Sequence, residues 1–226
     1  MDPIIFNDIP FTATFEELAE SSRVKKGSQH EATLKGLFQE AQNIARPKAM
    51  YKVASIDEKM DQGVVMDGIK FQSRILRVNL NDVHRAFPYI ATCGSELHEW
   101  HAAQDDMITQ YNIGTICELA LKAARAFLQD HLEETYHLEE SSYMNPGSLE
   151  DWPIREQRNL FQLLGNPESA IGVKLQPSLM MTPSQTVSGI RFASEASFQS
   201  CQLCPMDNCP HRKAPYDPDL YEQQFS

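Results

Sequence analysis

Val64-Val65-Met66-Asp67-Gly68-Ile69-Lys70-Phe71 reads as two short strands joined by a two-residue turn. Asp-Gly supplies the positive φ angles of a type I′ turn, whose twist matches that of the strands it joins. A chain that makes this hairpin contains an antiparallel sheet. Residues 50–54 are a further strand candidate on the N-terminal side. Residues 86–92 are another, followed directly by Cys93-Gly94. Later in the chain, residues 171–175 and 187–193 alternate between apolar and polar as half-buried strands do.

Helices surround these strands. Thr14-Phe15-Glu16-Glu17 and Ser28-Gln29-His30-Glu31 both fit the capping box, in which side chains satisfy the orphan amides of a helix start. The second leads into Leu34, Leu37, Phe38, Ala41 and Ile44, an amphipathic spacing that stops at Arg46-Pro47. Residues 94–131 read as helical, with a wide apolar stripe rich in alanine that predicts a helix packed on several sides. Gly114 within it costs about 1 kcal/mol relative to alanine, and close packing is the expected reason for it. The acidic stretch 130–140 reads as a solvated helix end. Asp151 is expected to cap a short helix with Pro153 in its first turn and Gly165 just past its end. The elements assemble into one α+β domain with a mixed or antiparallel twisted sheet and packed helices. It divides into an N-terminal helical segment at 1–48, an α+β core at 49–198 and a cysteine-rich extension at 199–226.

The chain has 226 residues and a formal net charge of −11. That field repels polyanions, so nucleic acid is not an expected partner. No apolar run approaches the roughly 20 residues of a membrane helix, and the acidic start lacks the basic region of a secretory signal. A cytoplasmic protein is the expectation.

Three of the five cysteines fall in the pattern Cys201-x2-Cys204-x4-Cys209. Thiolates at such spacing can grip one metal centre from a single loop. Pro205 and Pro210 each follow a cysteine, which favours an iron–sulfur cluster over zinc. Cys93, at a strand-to-helix turn, is the first candidate for a fourth ligand, and His211 is the second. Cys117 lies in the buried helical pattern and reads as a core residue. The alternative for the tail is free thiols or a redox disulfide. A second candidate site is the loop Asn145-Pro146-Gly147-Ser148, where glycine lets a ligand approach the backbone just before a helix. An ordinary connecting loop is the plainer reading. His98 and His101, flanking Glu99, could touch a ligand, though surface histidines are the commoner explanation. There is no phosphate-binding glycine motif, no nucleophile elbow and no zinc-protease motif.

The series Asn145-Pro146-Gly147, Asp151-Trp152-Pro153, Glu156-Gln157, Leu160-Phe161 and Leu163-Leu164 continues with Ile171-Gly172-Val173-Lys174-Leu175, Met180-Met181-Thr182-Pro183 and Val187-Ser188-Gly189. In order and spacing it resembles the activation (reactivation) domain of cobalamin-dependent methionine synthase. Asp105-Asp106 and the helix through Phe127 fit the same pattern. The resemblance covers about residues 50–193 and is most specific over 145–189. It is closer still to short stand-alone relatives of that domain with a cysteine tail. Two positions depart from the family: Tyr143 stands where its loop has arginine, and Ser148 where it has tyrosine.

The resemblance implies a twisted antiparallel sheet with helices and a shallow groove for S-adenosylmethionine near Asn145, Pro146, Gly147 and Ser148. It further implies docking over a partner's cobalamin when cob(II)alamin must be reduced and remethylated. The implied role is an accessory protein for reductive reactivation of a corrinoid-dependent methyltransferase. Such a protein is a component of the methionine synthase reaction rather than an independent enzyme. The alternative is an iron–sulfur or zinc electron carrier, or a partner-binding module that kept the fold without the S-adenosylmethionine. Whether the chain forms a homodimer stays open.

Overall fold

The computed structural model describes residues 2–138, 140–194, 200–206, 208–209 and 212–224. The Asp67-Gly68 turn forms as expected: both residues have positive φ, 43° and 78°, and they join β4 (Gly63–Met66) to β5 (Ile69–Gln72). The centre of the sheet is β6 (Arg85–Thr92). One of its edges is shared by two strands: β2 (Lys48–Tyr51) pairs Met50 with Ile90, and β3 (Ala54–Met60) pairs Ala54 with Ala86. The expected strand at 50–54 is thus divided, because the chain leaves β2 after Tyr51 and re-enters as β3. β3 then forms a second hairpin with β4, which the sequence pattern did not reveal.

Along the other edge of β6 runs β10 (Thr186–Ala193), with Gly189 opposite Tyr89. Next to β10 lies β7 (Ser141–Met144), Met144 opposite Ile190. β1 (Ile4–Phe6) borders β2. Every pairing is antiparallel, so the α+β class and antiparallel sheet expected from the sequence are what the chain adopts.

The two faces of the sheet carry different cores, and the period-2 alternation of strands sorts residues between them. Ala49, Tyr51, Phe87, Tyr89 and Ala91 face one way, onto Ala124, Leu128 and Leu132 of the long helix α5 (Met107–Tyr136). Met50, Ile90, Ile190 and Phe192 face the other way. They meet Trp152, the helix α3 (Arg74–Asn79), and Leu160, Leu163 and Leu164 of α6 (Gln157–Leu164). Each fully buried side chain of this kind contributes about 1.5–3 kcal/mol. A third cluster packs α1 (Phe15–Ser21), α2 (Gln29–Ile44) and α4 (Ser95–Ala102) onto the first half of α5, around Leu18, Leu34, Phe38, Leu97 and Ile116.

Thr14 completes its capping box: its hydroxyl accepts from the Glu17 N–H while Glu17 accepts from the Thr14 N–H. Ser28 makes only half of one. Its hydroxyl accepts from the Glu31 N–H, but the Glu31 carboxylate reaches past it to the Gly27 N–H.

Three expectations need correction. The helical stretch from 94 to 131 is two helices, because Asp106 accepts from the Thr109 N–H at 2.8 Å and starts α5 afresh. α5 then runs past His131 to Tyr136 and ends at His137 in the left-handed conformation. Gly114 is not tightly packed: a Cβ there would meet only the His101 ring at 3.7 Å. Residues 171–175 are mostly not strand, since α7 (Pro167–Ile171) and Gly172 occupy the first part and only β8 (Lys174–Leu175) is extended, paired to β9 (Met181–Thr182).

Candidate functional site

The Pro-Gly loop leaves the sheet from β7. Gly189 lies directly beneath it: a Cβ there would come 2.5 Å from both Asn145 Nδ2 and the Met144 carbonyl oxygen. Glycine at that point of β10 lets the Asn145 amide reach the sheet, where it donates to the Ser188 carbonyl at 2.6 Å and the Tyr89 hydroxyl at 3.3 Å. Pro146 is buried. The Gly147 N–H donates to the Trp152 carbonyl at 2.7 Å and the Ser148 N–H to the Asn145 carbonyl at 3.1 Å. These bonds brace the loop and use both amides, so side chains around it, rather than its own N–H groups, are what a ligand would meet.

Asp151 does not cap the helix that follows it. Its carboxylate instead accepts from the Ser73 hydroxyl and from the Arg74 and Ile75 N–H groups at 3.2 and 3.0 Å, capping α3 from 76–78 residues away. A short turn at Ile154–Glu156 leads into α6 without a side-chain cap, and α6 ends at Gly165 as expected. The tie from Asp151 to α3 fixes the far side of the loop to the sheet's second core. Sequence spacing pointed to a local helix, while the actual partner comes from another part of the chain.

The cysteine loop begins at a short turn, Ser200–Leu203. A single guanidinium gathers it. Arg212 donates from Nη1 to the Cys201 and Ala214 carbonyls at 3.0 and 3.2 Å. From Nη2 it donates to the Cys204 carbonyl at 3.1 Å and to the Met206 carbonyl. The Arg212 N–H reaches the Cys209 carbonyl at 3.2 Å, and the Lys213 N–H donates to Cys201 Sγ at 3.4 Å. Arg212 was not singled out from the sequence. The signal was there as a lone guanidinium just past a run of cysteines and prolines.

Cys201, Cys204 and Cys209 are partly exposed free thiols. Three soft donors on a braced loop with an N–H···S contact suit an iron–sulfur cluster or zinc in donor chemistry. Among the described residues, however, no three His, Cys, Asp or Glu side chains converge as a metal-holding group, so the thiols have to turn toward one another to share a centre. Cys93 is fully buried in the helical cluster with Cys117, while Cys204 packs against the core on the α6 side of the sheet. The contact with Cys93, together with burial, pushes the Cys117 thiol far up, which keeps it protonated and inert. His211 lies outside the described residues.

A cleft of about 520 Å³ lies beside both the Pro-Gly loop and the cysteine loop, and of the sequence-predicted site residues only Ser148 is in its lining. Ser148 and Glu150 line it from the Pro-Gly side, Leu203 and Pro205 from the cysteine loop, and Tyr216 and Asp217 from the tail. Asp151 also lines it, with its charge already committed to α3. Among the described residues no lysine or arginine is in the lining, so the field there favours cations.

No protein-family model matches the chain, and no curated protein matches it in sequence. Among solved structures, its fold is similar to the crystal structure of the MetH reactivation domain bound to AdoHcy. The TM-score is 0.61 at 14% identity, over 88% of this chain and 80% of that one.

Proposed function

We propose that this chain is an accessory protein for reductive reactivation of a corrinoid-dependent methyltransferase of the methionine synthase type. The observation that carries the reading is the acidic cleft shared by the Pro-Gly loop and the cysteine loop. Its setting, a fold like that of a reactivation domain, supports it. S-adenosylmethionine carries a sulfonium and an ammonium against one carboxylate, a net positive charge. Glu150 and Asp217 attract that charge, and the Tyr216 ring offers a face to the sulfonium or the adenine. Asn145, Pro146 and Gly147 hold the wall, and Ser148 places a hydroxyl at the cleft.

In this reading the partner's cob(II)alamin is the substrate. One electron from a low-potential reductant reduces the cobalt. The methyl carbon then leaves sulfur for cobalt, with the carbon–sulfur bonding pair staying on sulfur. The product thioether has lost the sulfonium charge, so its attraction to the acidic cleft falls and release becomes easier. The chain's part is to orient the methyl donor and to exclude water from the contact face. An iron–sulfur centre on Cys201, Cys204 and Cys209 would supply a low-potential electron.

A second reading is favoured by the Arg212 bracing alone: an iron–sulfur or zinc electron carrier, or partner-binding module, that makes no use of S-adenosylmethionine. The test mixes the protein with a corrinoid methyltransferase inactivated to cob(II)alamin, reductant and S-adenosylmethionine. Recovery of activity should require this protein and fall with Cys204→Ser. Recovery at the same rate without the protein refutes the activator role. Recovery that depends on the protein but not on S-adenosylmethionine selects the second reading.

A further inference from the structure

A second cleft, of about 390 Å³, opens between the second half of α5 and the strands β7 and β10. Its size is within the range of small-molecule sites. Four cations line it: Lys122 and Arg125 from α5, Arg191 from β10 and Lys213 from the tail. The rings of Tyr89 and Tyr143 form part of its wall, and among the described residues no Asp or Glu is in the lining. In a chain with a net charge of −11, four cations around one cleft are a local reversal of the overall field.

Two of these charges are offset from outside the lining. Glu17 pairs with Lys122 at 2.8 Å, and Glu133 with Arg191 at 3.1 Å. Arg191 is also tied to the Ser141 hydroxyl at 2.8 Å, and burial pulls its pKa down from the usual arginine value. Arg125 has neither an ion pair nor a hydrogen bond among the described residues, while Lys213 lies over the Tyr143 ring, 5.0 Å from its centroid. Among the described residues, the cleft therefore holds roughly two uncompensated positive charges beside an apolar wall that includes Leu128. Guanidinium forks match the paired oxygens of phosphate and carboxylate, and a walled cleft strengthens the field between them.

We propose that this basic cleft binds a small organic anion carrying at least two negative charges, as phosphate or carboxylate groups, with its uncharged body against the tyrosine and leucine wall. The site is separate in chemistry from the acidic cleft and does not depend on the reactivation reading. The methyl donor, cationic overall, is the wrong charge for it.

The experiment is calorimetry at low salt on the full chain, with pyrophosphate, citrate and ATP as separate probes and S-adenosylmethionine as the contrast. At least one of the three anions should bind, with affinity falling as salt rises. Pyrophosphate or ATP alone identifies a phosphate ligand, and citrate alone a polycarboxylate. Arg125→Glu, an exposed position that should fold normally, should weaken binding tenfold or more, and Lys213→Ala several-fold. No heat and no thermal shift with any anion at millimolar concentration overturns the proposal. So does binding that Arg125→Glu leaves unchanged, which places the anion elsewhere. S-adenosylmethionine binding that tightens in Arg125→Glu overturns it too, since the cleft would then be the donor's groove.

Discussion

The segment from Tyr143 to Asp151 separates two clefts of opposite character. Among the described residues, Tyr143 belongs on one side to a wall with four cations and no carboxylate. On the other, Ser148 and Glu150 belong to a wall whose described residues include carboxylates and no Lys or Arg, with Leu203 and Pro205 of the cysteine loop. The divider is held by a few bonds: Asn145 to Ser188 and Tyr89, Gly147 to Trp152, and Asp151 to α3. A short braced loop thus sets two opposite fields side by side, provided it cannot shift toward either cleft.

The largest expected effect comes from moving the divider itself. Gly189→Ala forces a Cβ against Asn145 and the Met144 carbonyl, both at 2.5 Å. The loop must lift or the Asn145 bonds break, which should cost about 3 kcal/mol. Urea denaturation checks it, and a loss below 1 kcal/mol would mean the loop is looser than its bonds indicate. Asp151→Ala comes next. It strips three hydrogen bonds from Ser73, Arg74 and Ile75, and should cost about 2 kcal/mol, the upper end of the range for a lost cap. Hydrogen exchange should show the loss concentrated in α3 rather than in α6, the reverse of what local spacing suggests.

Glu133→Gln removes the partner of the half-buried Arg191 and should cost about 1 kcal/mol. It also unmasks a third cation, so pyrophosphate should bind the basic cleft several-fold more tightly. Stability lost without a gain in anion affinity would break the link between that ion pair and the cleft. The smallest effect is a control away from both clefts. Gly114→Ala should stabilise α5 by about 0.5–1 kcal/mol, because the new methyl meets only His101 at an ordinary distance. Both clefts should keep their affinities.

The fold was legible where local chemistry and tertiary role agree. The Asp67-Gly68 turn, the Thr14 box, β6 and β10 all follow from signals within a few residues. The strand β3 escaped notice because Ser55-Ile56-Asp57-Glu58-Lys59 lies half in water and shows little apolar alternation. Asp151 was misread because a cap is a hydrogen bond, and the amides it serves belong to residues far away in the chain. The candidate site was legible in part. Ser148 was marked by sequence and lines the acidic cleft, whereas Leu203 and Pro205, not the marked cysteines, reach it from the cysteine loop. The basic cleft was invisible, since Lys122, Arg125, Arg191 and Lys213 converge only when α5, β10 and the tail pack together.

In the proposed role this chain helps deliver a methyl group to a partner's reduced corrinoid. The direct measurement uses methyl-labelled S-adenosylmethionine, a corrinoid methyltransferase held as cob(II)alamin and a low-potential reductant, with label on the corrinoid followed over time. Label should appear only when this protein and reductant are both present, and Glu150→Lys, which reverses a charge in the acidic cleft, should slow it tenfold or more. Label that accumulates equally fast without the protein refutes the proposed role.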